Sequence, residues 1–160
     1  MSVADVAAID AALVATLTSD ATLGTLLPDG VYLDVAPADK TRFVIVQHQT
    51  TADTEGFRET LYEEARYTVT ARVLAATGID VNTAARRIHE LLKDATLLIA
   101  GYVHSSTLRV ERVKFTEVDA IDNDIRWQIA GGDYELFVSP TTGPSPAPTP
   151  TFHGLAFDVT

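Results

Sequence analysis

Cysteine is absent from this 160-residue chain. Disulfides, thiolate metal sites and cysteine nucleophiles are therefore excluded, and nothing in the sequence needs an oxidising compartment. No apolar run approaches the ~18 residues that would cross a bilayer. Met1 to Val6 lacks the basic flank of a secretory signal, and Asp5 and Asp10 make the start acidic instead. The expectation is a soluble protein made in the cytoplasm. Basic residues are scarce: 12 Lys and Arg stand against 22 Asp and Glu, a formal net charge of −10. That balance opposes tight nucleic-acid binding, which is gained by neutralising phosphates. It also keeps a self-associating protein soluble before assembly.

Catalytic signatures are missing as well. Gly131-Gly132 lies inside a strand pattern with no Lys-Ser/Thr after it, so it is not a phosphate loop. There is no Gly-x-Ser-x-Gly elbow. None of His48, His89, His104 and His153 has another His at the three- or four-residue step that puts two ligands on one helix face. Asp119, Asp122 and Asp124 do not follow the calcium-loop pattern and read as a solvated turn. Glu63 and Glu64 are neighbours in a strand, point to opposite faces, and cannot work as an acid–base pair. No enzyme, metal or cofactor is expected.

The remaining residues have the size and the 46% apolar content of one globular domain with a real core. Val6, Ile9, Leu13 and Leu17 form a helical stripe across Ser2 to Leu17, with Ser2 as cap and Asp5 near the helix start. Ala21 to Leu27 suggests a short helical turn, stopped by Pro28-Asp29-Gly30. Val31 to Val35 and Phe43 to Val46 read as strands, and Thr50 to Glu59 as a long loop or hairpin arm. From Leu61 to Ala75, Ala65, Tyr67, Val69, Ala71 and Val73 alternate with Arg66, Thr68, Thr70 and Arg72, which predicts one core face and one polar face.

Asp80 is the expected cap of a helix to Asp94, with an apolar stripe at Val81, Ala84, Ile88, Leu91 and Leu92. The apolar phase changes between Leu108/Val110 and Val113/Phe115, which suggests a bulge near Glu111 or Arg112. It changes again between Trp127/Ile129 and Tyr134/Leu136, which suggests a bulge or kink at Gly131-Gly132. The predicted class is α+β: a mainly antiparallel sheet of about four or five strands with two helices packed on one face. Three segments are expected: a domain over 1–139, a Pro/Thr-rich semi-rigid linker over 140–151, and an apolar docking segment over 152–160.

Several phrases resemble the tail-terminator, or tail-completion, proteins of long-tailed bacteriophages. They are Ala11-Ala12-Leu13 through Leu26-Leu27, Gly30-Val31-Tyr32-Leu33-Asp34-Val35-Ala36-Pro37 and Phe43-Val44-Ile45-Val46. Tyr67-Thr68-Val69-Thr70-Ala71-Arg72-Val73 and the helix Ala84-Ala85-Arg86-Arg87-Ile88-His89-Glu90-Leu91-Leu92 complete the pattern, over roughly 7 to 139. The Pro-rich linker and Phe152 to Val159 depart from it. The resemblance implies a small α+β subunit of a homo-hexameric ring in the virion neck, assembled in the bacterial cytoplasm. Such a ring caps the head-proximal end of the tail tube, meets the head–tail connector, and lets genome DNA pass without specific binding or any membrane.

On that reading Arg66, Arg72, Arg109, Glu111 and Arg112 are candidate subunit-interface residues, because charge pairs set orientation and partner choice. Phe152, Leu155 and Phe157 are candidates for docking on a neighbour by strand addition. Two alternatives stay open: a head–tail connector ring of the same neck, and a small non-catalytic ligand or peptide-binding module with Tyr62, Trp127 and Tyr134 around its pocket.

Overall fold

The structure, a computed structural model, describes residues 6–55 and 60–141. The elements run α1 (Val6–Thr18), α2 (Ala21–Leu26), β1 (Val31–Leu33), β2 (Arg42–Glu55), β3 (Thr60–Leu74), α3 (Val81–Asp94), β4 (Leu98–Ile99), β5 (Tyr102–Val118) and β6 (Arg126–Pro140). One sheet takes the order β1-β2-β3-β6-β5-β4. All its neighbours are antiparallel except β1 and β2. The class is α+β as expected, with six strands and three helices among the described residues in place of four or five strands and two helices. The strand not foreseen is the two-residue β4, which is too short to leave a periodic trace, and the third helix is the short turn α2.

Strand β3 sits at the centre and alternates as its sequence predicts. Ala65, Tyr67, Val69, Ala71 and Val73 are fully buried against the helices. Ile9, Leu13 and Leu17 of α1 and Val81, Ala84, Ile88 and Leu92 of α3 close that core. The expected cap Ser2 and the neighbouring Asp5 lie outside the described residues. Asp80 caps α3, its Oδ1 accepting from the Asn82 N–H at 3.0 Å. Asp20 caps α2 by accepting from the Leu23 N–H at 2.7 Å, and it also takes the Arg87 guanidinium at 3.0 and 2.5 Å. One carboxylate thus joins α2 to α3, and the Arg87 hydrogen bond is the main reason its pKa is lowered. The Tyr67 hydroxyl donates to Asp10 Oδ1 at 2.8 Å and ties the middle of the sheet to α1.

The turn at Pro28-Asp29-Gly30 forms as its residues predict, with Gly30 at a φ of 101° that few side chains tolerate. Asp29 Oδ2 accepts from the Thr41 and Arg42 N–H groups, both at 2.9 Å, and locks the turn onto the start of β2. Residues 50–55 prove to be the outer half of β2, so the hairpin-arm alternative holds for them. Residues 56–59 are outside the described set. The bulge expected near Glu111 or Arg112 falls between Arg109 and Glu111, and a second one in β5 lies between His104 and Ser106.

Of the bulge or kink expected at Gly131-Gly132, no bulge forms in the β3–β6 ladder. β3 pairs with β6 over twelve consecutive positions, Glu63↔Val138 to Leu74↔Trp127, without a shift. The apolar phase changes because β6 changes the face it serves. Tyr134, Leu136 and Val138 enter the helix-side core. Ile129 is buried on the other face, opposite Arg72 and near Phe43 and Ile45. Phe43 contacts Trp127 edge-on at 5.7 Å and Tyr32 at 6.1 Å. The sheet therefore has a small second core beneath the segment 34–40.

The two glycines serve close approach instead. A Cβ on Gly131 would overlap the Val69 carbonyl and lie 2.7 Å from the Thr70 Cα. A Cβ on Gly132 would lie 2.6 Å from the Glu111 carbonyl oxygen and 2.8 Å from the Arg109 side chain. Gly131→Ala is expected to destabilise the domain by about 1–3 kcal/mol, the usual cost of overpacking. A fall in the urea midpoint at unchanged slope would register it; an unchanged midpoint would mean that the β3–β6 approach is looser than described.

Candidate functional site

The five charged interface candidates fall on two surfaces. Arg66 and Arg72 project from the sheet face opposite the helices, and both meet acids across the ladder. Arg66 lies 3.5 Å from Asp133, which also accepts from the Thr68 hydroxyl at 2.6 Å. Arg72 lies 3.9 Å from Glu117. These arginines are half-buried within their own subunit, and partly exposed pairs of this kind contribute little stability. Glu111 stands on the same face, opposite Asp133.

The bulge at Val110 turns Arg109 and Arg112 to the helix side. Arg109 is opposite Tyr134, and Arg112 is opposite Gly132. There they meet Arg86 and His89 of α3 and Lys114 of β5 in a cleft of about 330 Å³. The His89 ring lies 6.1 Å from the Tyr134 ring. Burial first, then the charges of Arg109, Lys93 and Arg112, holds the His89 imidazole below its usual pKa. Burial also raises the Tyr134 hydroxyl, against the opposing pull of Arg109. Arg109, Glu111 and Arg112 were grouped as one strand surface by sequence, and the structure separates Glu111 from the two arginines. Arg86 and Lys114 escaped notice because only strand pairing brings β5 beside α3.

The three aromatic residues of the ligand-module alternative do not converge. Tyr62 is exposed beside Phe137, with ring centroids 6.5 Å apart. Tyr134 is buried with His89, and Trp127 packs on Phe43. An open hollow of about 490 Å³ lies between the 34–40 segment and the β5–β6 tip, and Trp127 alone of the three reaches it. Among the described residues no three His, Asp or Glu side chains gather as a metal set. No helix there is long and apolar enough to cross a membrane. Phe152, Leu155 and Phe157 lie outside the described residues.

One acid pair went unseen in the sequence. Glu63 and Glu64 do point to opposite faces, but Glu63 stands directly across β2 from Asp53. Its carboxylate oxygens are buried without a hydrogen-bond partner. Burial, and then the Asp53 charge, pushes Glu63 up to about 7 from 4.5. Cross-strand register alone reveals this pair.

No known family profile matches the chain, and no curated protein does. A solved structure is similar: a chain from the "Virion of native gene transfer agent (GTA) particle" superposes with a TM-score of 0.67. The match has 20% identity and covers 86% of this chain and 99% of that one. At that identity the likeness is one of fold.

The Glu63 environment has a measurable consequence. The folded state holds this proton more tightly than the unfolded chain, so folding stability falls as pH rises from about 4.5 to about 7 and then levels. Glu63→Gln is expected to remove that decline. Urea midpoints of the two proteins at about pH 5 and about pH 8 make the comparison; an identical pH dependence would mean that the Glu63 carboxylate is hydrated.

Proposed function

We propose that the chain is a non-catalytic structural subunit of a phage-like virion, a tail terminator that assembles into a ring, hexameric by its resemblance. The ring would cap the head-proximal end of the tail tube, join it to the head–tail connector, and leave a lumen for DNA. The observation that carries this reading is the fold likeness to a virion-particle chain over nearly the whole of that chain. The phrases shared with tail-terminator proteins supply the finer role.

The surface supports self-association. β4 pairs with β5 only at Tyr102 and Val103, so β5 beyond them has β6 on one side and no further described strand on the other. Long free edges invite pairing with another chain. Leu108, Val110, Phe115 and Val118 are exposed along this strand, apolar side chains that a neighbour there would cover. The net charge of −10 suits a lumen that DNA crosses without sticking. A connector ring of the same neck shares all these features. The ligand module loses support because its three aromatics lie apart.

Light scattering and negative-stain imaging, alone and with purified tail tubes, test the reading. Six-fold rings, free or at one end of a tube, are expected. A monomer that ignores tubes would overturn it, and rings that bind connectors but not tubes would move the chain to the connector role. Deleting residues 142–160, beyond the end of β6, is expected to leave thermal unfolding of the domain intact and to weaken ring formation. Loss of the folded domain on deletion would refute a linker and docking role for that segment.

A further inference from the structure

A third of the chain's Lys and Arg side chains, Arg86, Arg109, Arg112 and Lys114, line the single cleft between α3 and β5–β6. Arg109 and Arg112 have no ion-pair partner among the described residues. Arg86 has only an exposed contact with Glu90 at 4.0 Å. The His89 Nδ1 atom is buried at the same place without a hydrogen-bond partner. Ala85 and Ala130 supply an apolar floor. Glu90 beside Arg86, Asp80 near Lys114 and Asp94 near His89 stand at the margin of this cleft, but Arg109 and Arg112 are left facing like charges that repel one another, and an anionic occupant relieves that repulsion.

The same chain carries the complement. The β5–β6 tip, residues 117–124, holds Glu117, Asp119, Asp122 and Asp124 and no Lys or Arg. Ile121 stands among these acids, 98% exposed. The tip is held in shape before any contact. Asp119 Oδ1 accepts from the Ile121 and Asp122 N–H groups at 2.8 and 2.9 Å, and Asp122 Oδ1 from the Asp124 N–H at 3.0 Å. A preformed loop loses little freedom on docking. The strand runs straight on from Lys114 to Val118, on the order of 13 Å, so a subunit cannot place its tip in its own cleft.

We propose that the acidic β5–β6 tip of one subunit seats in the basic cleft of a second copy, with Asp122 and Asp124 meeting Arg109 and Arg112 and Ile121 on the apolar floor. The contact joins two different patches. It therefore propagates head to tail and closes into a ring where the rotation allows. This inference rests on the ring reading above and names its interface.

Charge reversal tests it. Arg109→Glu with Arg112→Glu, and separately Asp122→Lys with Asp124→Lys, are each expected to raise the concentration needed for rings at least ~10-fold. All four changes in one chain are expected to restore rings. Arg112→Gln and Asp124→Asn, milder changes, are expected to weaken assembly in the same direction, and melting curves confirm that each chain is folded. Rings indifferent to both reversals, or folded single reversals that the combination does not rescue, overturn the pairing and leave the ring reading standing. Wild-type protein that forms no ring, alone or on tubes, overturns both. Intact rings that lose retention of duplex DNA on cleft reversal assign the cleft to phosphate instead.

Discussion

The ladder between β3 and β6 is the constraint on which the rest of the structure depends. Twelve consecutive pairs without a shift hold the two strands in one phase. Odd-numbered β3 residues and even-numbered β6 residues therefore meet the helices along the whole length, and a slip of one residue would turn Tyr67, Tyr134 and Leu136 outward. Gly131 and Gly132 make the ladder close enough to keep. They remove the two side chains that would strike the β3 backbone on one side and the Glu111 carbonyl and Arg109 on the other. Because β3 and β6 hold one register, the sheet's irregularities fall on the ladders outside them: β2–β3, with shifts between His48/Thr50 and Thr54/Glu55, and β5–β6, with shifts between His104/Ser106 and Arg109/Glu111. The bulge at Val110 then decides which face Arg109 and Arg112 serve.

Local chemistry made much of this legible. The cap at Asp80, the turn at Asp29-Gly30, the α3 stripe and the β3 alternation each need only neighbouring residues. The Val110 bulge was legible to within about a residue, because a shifted register changes the apolar phase. The same cue misled at Gly131-Gly132. A phase change arises equally when a strand of constant register passes from one core to another, and a single sequence cannot distinguish the two. Only a partner face reveals the second core of Phe43, Ile45 and Ile129. The sheet order and the basic cleft were hidden for the same reason: α3 and β5 meet through β6, which follows both in the chain.

The interface candidates separate along this line between local and distant information. Arg66 and Arg72 were singled out because they alternate with core residues, and alternation shows only that a side chain avoids the main core. Both find acids one strand or two away, at Asp133 and Glu117. Arg109 and Arg112 lie three apart across a bulge, an arrangement that no regular strand period marks. They remain without an acidic partner among the described residues because the strands around them present Gly131, Gly132 and Ala130, and the facing helix presents Arg86 and His89.

Charge then distinguishes ordered assembly from simple clumping. A chain with net charge −10 repels its copies at long range, and added subunits carry the same sign. Screening confines that repulsion to about 10 Å at moderate salt. Within that distance the local arrangement matters more than the total. A basic cleft facing an acidic tip is attractive in one orientation, whereas most other faces set acid against acid. The exposed apolar residues along β5 favour association without specifying its geometry. Under the proposed pairing, charge placement supplies that geometry, and a strongly acidic protein with an open sheet edge favours one head-to-tail contact over random edge pairing.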